Sequence, residues 1–246
     1  MKILLKIAYD GRCYCGWQVQ KNGISIQGEL CRAAAETYHE TVKVTGCSRT
    51  DSGVSAMEYF CTLETSENAP RIPLDRLPTA LNVKLPGDIT VFSAEEAAED
   101  FHPRYSVKSK TYRYVIDNGE HRDPFRNGKA WHLGKPLDEK KMDRAAKAFV
   151  GKYDFSAFMA SGSSVTDATR TVMRAEVTRE GNDVIFTVSA DGFLYNMVRI
   201  MTGTLADVAY GKIKEEEITD IIASKDRSRA GMTAPPDGLC LVKVLY

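Results

Sequence analysis

Apolar positions along the 246-residue chain follow two rhythms, one of strands and one of helices, and the two alternate. The opening KILLKIAYDG has the pattern of a strand that ends in a turn at Asp10-Gly11. A loop, GRCYCGWQVQKNG, leads to SIQGELCRAAAETYH, where Ile26, Leu30, Ala33, Ala34 and Thr37/Tyr38 fall at helical spacing and Ser25 is placed to cap the first turn. TVKVTG and VSAMEYFCTLE are expected strands, PLDRLPTALNVKLP a short helix bounded by prolines, and ITVFSAEEAA a strand running into an acidic stretch.

A second half begins near Phe101. SKTYRYVIDNG is an expected strand with a turn, and LDEKKMDRAAKAFVG a helix with Met142, Ala145, Ala146 and Phe149 on one face. TVMRAEVTREGNDVIFTVSADGF has the form of a hairpin turning at Glu180-Gly181-Asn182. LYNMVRIMTGTLADVAYG is a long apolar-rich helix closed by Gly211, KEEEITDIIASKD a shorter helix, and GLCLVKVLY the last strand. Each half combines antiparallel strands with one or two helices, an α+β arrangement with expected domains 1-100 and 101-246. With no low-complexity linker between them, the halves are expected to share one continuous sheet or a tight interface.

Composition changes this picture little, but charge distribution adds to it. Lys+Arg and Asp+Glu both number 33, and a net charge of zero argues, taken alone, against a nucleic-acid binder. The sum hides a local bias: Phe101 to Lys135 carries eight Lys or Arg against three Asp or Glu, while DITVFSAEEAAED just before it carries five acids and no base. Ordinary solvated charge is the bland reading of such a run. Six cysteines, at 13, 15, 31, 47, 61 and 240, have no zinc spacing and suggest free thiols used mostly as small packing residues in a reducing, cytoplasmic setting. The N-terminus reads as a strand rather than a signal sequence, and no apolar run approaches a membrane span.

Candidate chemistry concentrates in TVKVTGCSRTDSGVSAMEYF, where a short polar loop joins two strands and carries Arg49, Thr50 and Asp51 in succession. A loop aspartate is most often a turn residue. Here Gly53 allows the backbone to turn sharply, and Arg49, two residues away, would share a face with Asp51 in an extended segment. A guanidinium so placed would keep the carboxylate ionised, as a nucleophile or base requires.

GCSRTDSGVSA resembles the G-x-G-R-T-D-x-G-V-H-A signature of the tRNA pseudouridine synthase A family. The resemblance extends along nearly the whole chain through YDGRCYCGWQVQKNGISIQGEL, FHPRYSVKSKTYRYVI, YDFSAFMASG, FLYNMVRIMTGTL and TAPPDGLCLVKVLY, in the family's order. Three positions depart from the pattern: Ser48 stands where a small glycine- or alanine-like residue is usual, Ser55 replaces the histidine of G-V-H-A, and Val107 replaces the alanine after Ser106. None removes a charged group thought to do chemistry; loss of the histidine bears on RNA positioning and substrate range.

The resemblance implies two ferredoxin/RRM-like α/β halves with mainly antiparallel sheets joined across a central cleft, and a homodimer that needs no cofactor or metal. It implies conversion of uridine to pseudouridine in the anticodon stem-loop of tRNA, at positions 38, 39 and 40. By motif position Asp51 is the catalytic carboxylate, and attack on the sugar, attack on the base or removal of the sugar proton all stay open. A stacked uridine must be flipped to reach it. Arg49 would brace the vacated space, or otherwise bind a phosphate or form an ion pair. Tyr112 would stack on the flipped uracil, the alternative being a core strand tyrosine with Tyr114 on the same face. Arg199 would pair with Asp51, the alternative being a side chain that snorkels to the surface. Lys108, Lys110, Arg113, Arg122 and Arg126, with Arg104, form the class of expected phosphate contacts.

Two other readings compete. Asp51-Ser52-Gly53 matches the D-[ST]-G triplet of aspartic proteases, but the preceding Arg49 would suppress the shared-proton state that an aspartate dyad needs. A non-catalytic RNA-binding module of two sandwich halves would have no need to retain Asp51, Tyr112 and Arg199. A paralogue with a shifted RNA substrate is a further variant of the synthase reading.

Overall fold

The structure, a computed structural model, describes residues 1–21, 23–162 and 165–246. Asn22, in the expected loop after the first strand, lies outside the described residues. The chain divides into two compact units, Met1–Lys108 with Leu241–Tyr246, and Ser109–Cys240. The C-terminal segment thus belongs to the first unit, whereas its position in the sequence suggested the second.

In the first unit, β1 (Lys2–Tyr9) lies between β4 (Ile89–Glu96) and β3 (Ser55–Glu64), antiparallel to both, and β2 (Lys43–Gly46) pairs antiparallel with β3. β10 (Leu239–Leu245) lies on the other side of β3. Burial along β1 has a period of two: Ile3, Leu5, Ile7 and Tyr9 are buried, while the residues between them are half-buried. That is the pattern of a sheet with one face covered. The cover comes from α1 (Ile26–Tyr38) and α2 (Leu77–Asn82), which bury Ile26, Leu30, Ala33 and Leu77, Leu81 respectively. Ser25 caps α1 as its position predicts, its side chain accepting a hydrogen bond from the Gly28 amide at 3.1 Å.

In the second unit, β5 (Ser109–Asp117), β9 (Asp183–Ala190), β8 (Thr169–Glu180) and β7 (Gly151–Asp154) follow one another as antiparallel neighbours, and the two-residue β6 (Trp131–His132) runs parallel to β5. The β8–β9 hairpin turns at Gly181-Asn182, where the sequence places it. α3 (Glu139–Lys147) packs on β8, and α4 (Met197–Ala209) packs on α3 and β5. α5 (Glu217–Ser224) packs on β7. The predicted helix over LDEKKMDRAAKAFVG is shorter than expected. Its last turn tightens, with Phe149 and Val150 donating to residues three back, and the chain then enters β7. Phe149, Phe158, Phe155 and Phe186 form an aromatic core, with Phe149 and Phe158 centroids 5.1 Å apart and edge to face. Among the described residues no helix is long and apolar enough to cross a membrane.

The six cysteines are free thiols, as expected, and two of them serve as small core residues. Cys47 and Cys61 are buried, Cys13 is exposed, and Cys15, Cys31 and Cys240 lie between these extremes.

One electrostatic link ties three strands of the first unit together. Glu58 on β3 accepts from Lys6 Nζ on β1 at 2.8 Å and from the Val244 amide on β10 at 3.1 Å. Burial acts to raise the Glu58 pKa, but these donors outweigh it and hold the carboxyl below its ordinary value. A depressed folded-state pKa gives stability that is present above the unfolded glutamate value, about 4.3, and is lost as pH falls through the folded value. Glu58→Gln is therefore expected to lower the melting temperature at pH 7. Melting curves of variant and wild type should converge as pH drops below about 4.

Candidate active site

The loop between β2 and β3 runs from Cys47 to Val54, and its course is set by hydrogen bonds at nearly every residue. The Cys47 amide donates to the Phe60 carbonyl at 2.9 Å, continuing the β2–β3 ladder by one step. Ser48 is held by Tyr59: the Ser48 amide donates to the phenol oxygen at 3.3 Å, and the phenol donates back to the Ser48 carbonyl. Thr50 is buried, its hydroxyl 2.9 Å from the Tyr9 hydroxyl and its carbonyl accepting from the Trp17 amide at 3.2 Å. The chain then turns. The Val54 amide donates to the Asp51 carbonyl at 3.2 Å, and Gly53, third residue of this turn, has φ +82°. Positive φ at that position defines a type II turn and explains the glycine. The Gly53 amide and the Ser52 hydroxyl both donate to the Tyr14 carbonyl, each at 3.2 Å.

Two sets of groups therefore brace the loop. Beneath it lies an aromatic floor in which the Trp17 and Tyr59 rings stack with centroids 4.2 Å apart, and Tyr9 meets Tyr59 edge-on at 5.5 Å. Tyr59 is fully buried, and burial pushes its phenol well above the ordinary value, so it stays a neutral donor. Beside the loop runs the 14–17 segment. The Tyr14 hydroxyl donates to Asp88 Oδ1 at 2.5 Å, anchoring the segment at its far end. Gly16 has φ +102°, and a Cβ there would lie 2.5 Å from the Thr50 carbonyl oxygen and 3.1 Å from the Asp51 carbonyl carbon. The two backbones approach this closely only because the position has no side chain.

Burial alternates along the loop: Arg49 exposed, Thr50 buried, Asp51 half-buried. Ser55, in place of the family's histidine, accepts a hydrogen bond from the Gly11 amide at 3.0 Å and joins the start of β3 to the segment after β1.

Tyr112 and Arg199 belong to the second unit. On β5 the buried row is Lys110, Tyr112, Tyr114 and Ile116, so both tyrosines lie on one face, as their spacing predicts. The Tyr112 ring is 6% exposed and meets Phe193 edge-on at 5.1 Å. Tyr114 donates its hydroxyl to the Pro235 carbonyl at 2.6 Å; burial raises its pKa against the opposing charge of Arg199. Arg199 lies in the first turn of α4 and does not snorkel. Its Nε donates to the Ala234 carbonyl at 2.7 Å and its Nη1 to Asn196 Oδ1 at 2.8 Å, while its own carbonyl accepts from the Ala234 amide at 3.1 Å. The TAPP segment thus fixes this side chain.

The expected phosphate contacts do not form a uniform set. Lys108 and Arg122 are exposed, and so is Arg104, but Lys110 is buried. Arg126 is paired with Asp183 and lies 3.7 Å from the buried Asp117. Arg122 and Arg126 line a cavity of about 260 Å³ with Asp117, Asp123 and Asp237, a mixture of charge poorly suited to a phosphate. Among the described residues no group of three or more His, Cys, Asp or Glu is placed to hold a metal ion.

This loop, set in a mixed α/β fold with mainly antiparallel sheets, defines a class. The family model described as tRNA pseudouridine synthase matches residues 6–106 and 145–246, and the chain belongs to that family of isomerases. It is 44% identical over 244 residues to "tRNA pseudouridine synthase A" of Thermoanaerobacter sp. (strain X514), with 99% of each chain covered. It is 46% identical, over the same length and coverage, to "tRNA pseudouridine synthase A 2" of Clostridium perfringens (strain 13 / Type A). Among solved structures it is similar to a chain of a Cbf5-Nop10-Gar1 complex, with TM-score 0.42 and 15% identity over 97% of this chain and 48% of that one, a likeness too distant to bear on function. Arg49, Asp51 and Arg199 fall inside the segments the family model matches; Tyr112 falls between them. Asp51-Ser52-Gly53 is thus part of a synthase loop and not a protease triplet.

Sequence reasoning found the loop but missed its supports, Tyr9, Tyr14, Gly16, Trp17 and Tyr59. The visible signal was the pairing of glycine with aromatics in YCGW, whose contact with a loop more than thirty residues away has no local signature. Gly16→Ala is expected to lower the melting temperature and to reduce pseudouridine formation at least tenfold, because backbone would have to move to admit the methyl. Gly87→Ala, where a Cβ meets nothing within 4 Å, should leave both unchanged and serves as the control.

Proposed function

We propose that this protein isomerises uridine to pseudouridine in the anticodon stem-loop of tRNA, at positions 38, 39 and 40, with Asp51 as the catalytic carboxylate. The observation that carries this reading is the intact R-T-D-x-G loop, with Asp51 half-buried in a turn that is hydrogen-bonded on both sides. The reaction breaks the bond from the sugar to the base nitrogen N1, turns the base and rejoins it through C5; the C5 proton leaves to solvent and N1 takes one up. No electrons are gained or lost, and the reading calls for no cofactor. The target nucleotide leaves the helical stack, at a cost of a few kcal/mol. Tyr112 stacks on the flipped uracil, Arg49 braces the space it vacates, and Arg199 pairs with Asp51 and keeps it charged. In favour of these roles are the exposure of Arg49, which leaves it accessible to RNA, and the rigid mounting of Arg199 by Ala234 and Asn196. The relatives' names give tRNA as the substrate of those proteins, and family membership extends it to this one. The protein works in the cytoplasm as a homodimer.

A shifted RNA substrate is the second reading, favoured by Ser55, whose hydroxyl is engaged with the Gly11 amide where the family carries a histidine.

The test uses unmodified tRNA carrying tritium at uridine C5, with no cofactor added. Wild type should release tritium to water. Asp51→Asn and Asp51→Ala, folded as judged by unchanged melting curves, should release none. Release equal to wild type from either folded variant would overturn the assignment of Asp51. Gel filtration at micromolar concentration should give about twice the chain mass of 27.3 kDa; elution as a monomer would contradict the dimer.

A further inference from the structure

The mechanism assigns roles to Asp51, Arg49, Tyr112 and Arg199 but none to two buried phenols whose hydroxyls reach the loop from β1 and β3. We propose that Tyr59 and Tyr9 are positioning residues for the Asp51 carboxylate, clamping Ser48 and Thr50 so that the segment leading into Asp51 has a single conformation before RNA binds. The proposal rests on the reading of Asp51 as the catalytic group.

Three observations carry it. First, the hydroxyl of each tyrosine reaches the loop itself. Tyr59 bonds both backbone groups of Ser48, and Tyr9 meets the Thr50 side chain at 2.9 Å. Second, the clamped residues alternate with the candidate functional ones: Ser48 and Thr50, each bonded to a tyrosine hydroxyl, directly precede Arg49 and Asp51 in the chain. Third, both rings are immobile. Tyr59 is fully buried against Trp17 and Tyr9 is 4% exposed, so neither hydroxyl swings away in a rotamer change. A core tyrosine needs only one polar partner to satisfy its hydroxyl. Spending two such hydroxyls on residues within three positions of a single carboxylate is more than packing requires.

The consequence is specific. Removing a hydroxyl while keeping its ring should leave tRNA binding intact and degrade the alignment of the carboxylate, so that kcat falls and KM does not. Tyr59→Phe and Tyr9→Phe are expected to lower kcat about 10- to 100-fold with KM for tRNA changed less than about twofold. Thr50→Val removes the partner of Tyr9 at nearly constant shape. Because the two groups act as one contact, the double variant Tyr9→Phe/Thr50→Val should be no worse than the poorer single variant.

Asp51→Asn is measured alongside. If it retains activity, the reading of the site fails. If it is inactive while Tyr59→Phe and Tyr9→Phe both turn over at the wild-type kcat, the clamp fails and the reading of the site stands. Should Tyr59→Phe fold poorly, the Tyr9–Thr50 cycle decides: losses in kcat that multiply in the double variant show independent structural damage and overturn the proposal. Losses that do not accumulate support it.

Discussion

The structure around the candidate active site depends on one constraint: a loop of eight residues must leave a sheet, present a carboxylate and return, without the regular hydrogen bonds that strands or helices supply. Backbone amides and carbonyls that lack such partners are costly when buried. Here they are met from outside the loop. Tyr59 answers Ser48, Trp17 answers Thr50, and the Tyr14 carbonyl answers Gly53 and Ser52. Two core tyrosines, Tyr59 and Tyr9, with their hydroxyls, and the 14–17 segment, with its backbone, are therefore the partners that give an irregular segment a definite shape.

This arrangement explains features of the sequence that look unrelated when read in order. Gly16 lies close to the loop because its neighbour is backbone, and Gly53 is required by the sign of φ in the turn. Gln27 in α1 donates to the Val44 carbonyl at 2.8 Å and accepts from the Val19 amide, so the helix that follows the opening loop also holds that loop against the strand leading to Asp51. Tyr9, Tyr14, Gly16 and Trp17 form, in effect, a scaffold for residues 48–54, although about thirty positions separate the two segments.

The elements were legible in the sequence wherever burial imposes a period. β1, α1 and the β8–β9 hairpin lie where alternation or helical spacing puts them, and α4, buried on nearly all sides, lies where the long apolar-rich run puts it. β6 and β7 escaped because two and four residues are too short to show a period, and the end of α3 was misjudged because its last turn changes geometry without a change of pattern. Among the candidate residues, Asp51, Arg49, Tyr112 and Arg199 were recognisable as members of motifs. The burial of Lys110 and the engagement of Arg126 with aspartates were not, because they depend on contacts across the sheet and between loops. Charge counted along the chain overstated the basic surface for the same reason.

The central claim is that the loop is ordered by its aromatic supports in the free protein. Amide hydrogen exchange of the protein without RNA tests it most directly. The Ser48, Gly53 and Val54 amides, bonded to the Tyr59 hydroxyl, the Tyr14 carbonyl and the Asp51 carbonyl, should exchange as slowly as amides in the middle of β3. Exchange of these amides at the rate of an exposed, unstructured loop would contradict the account.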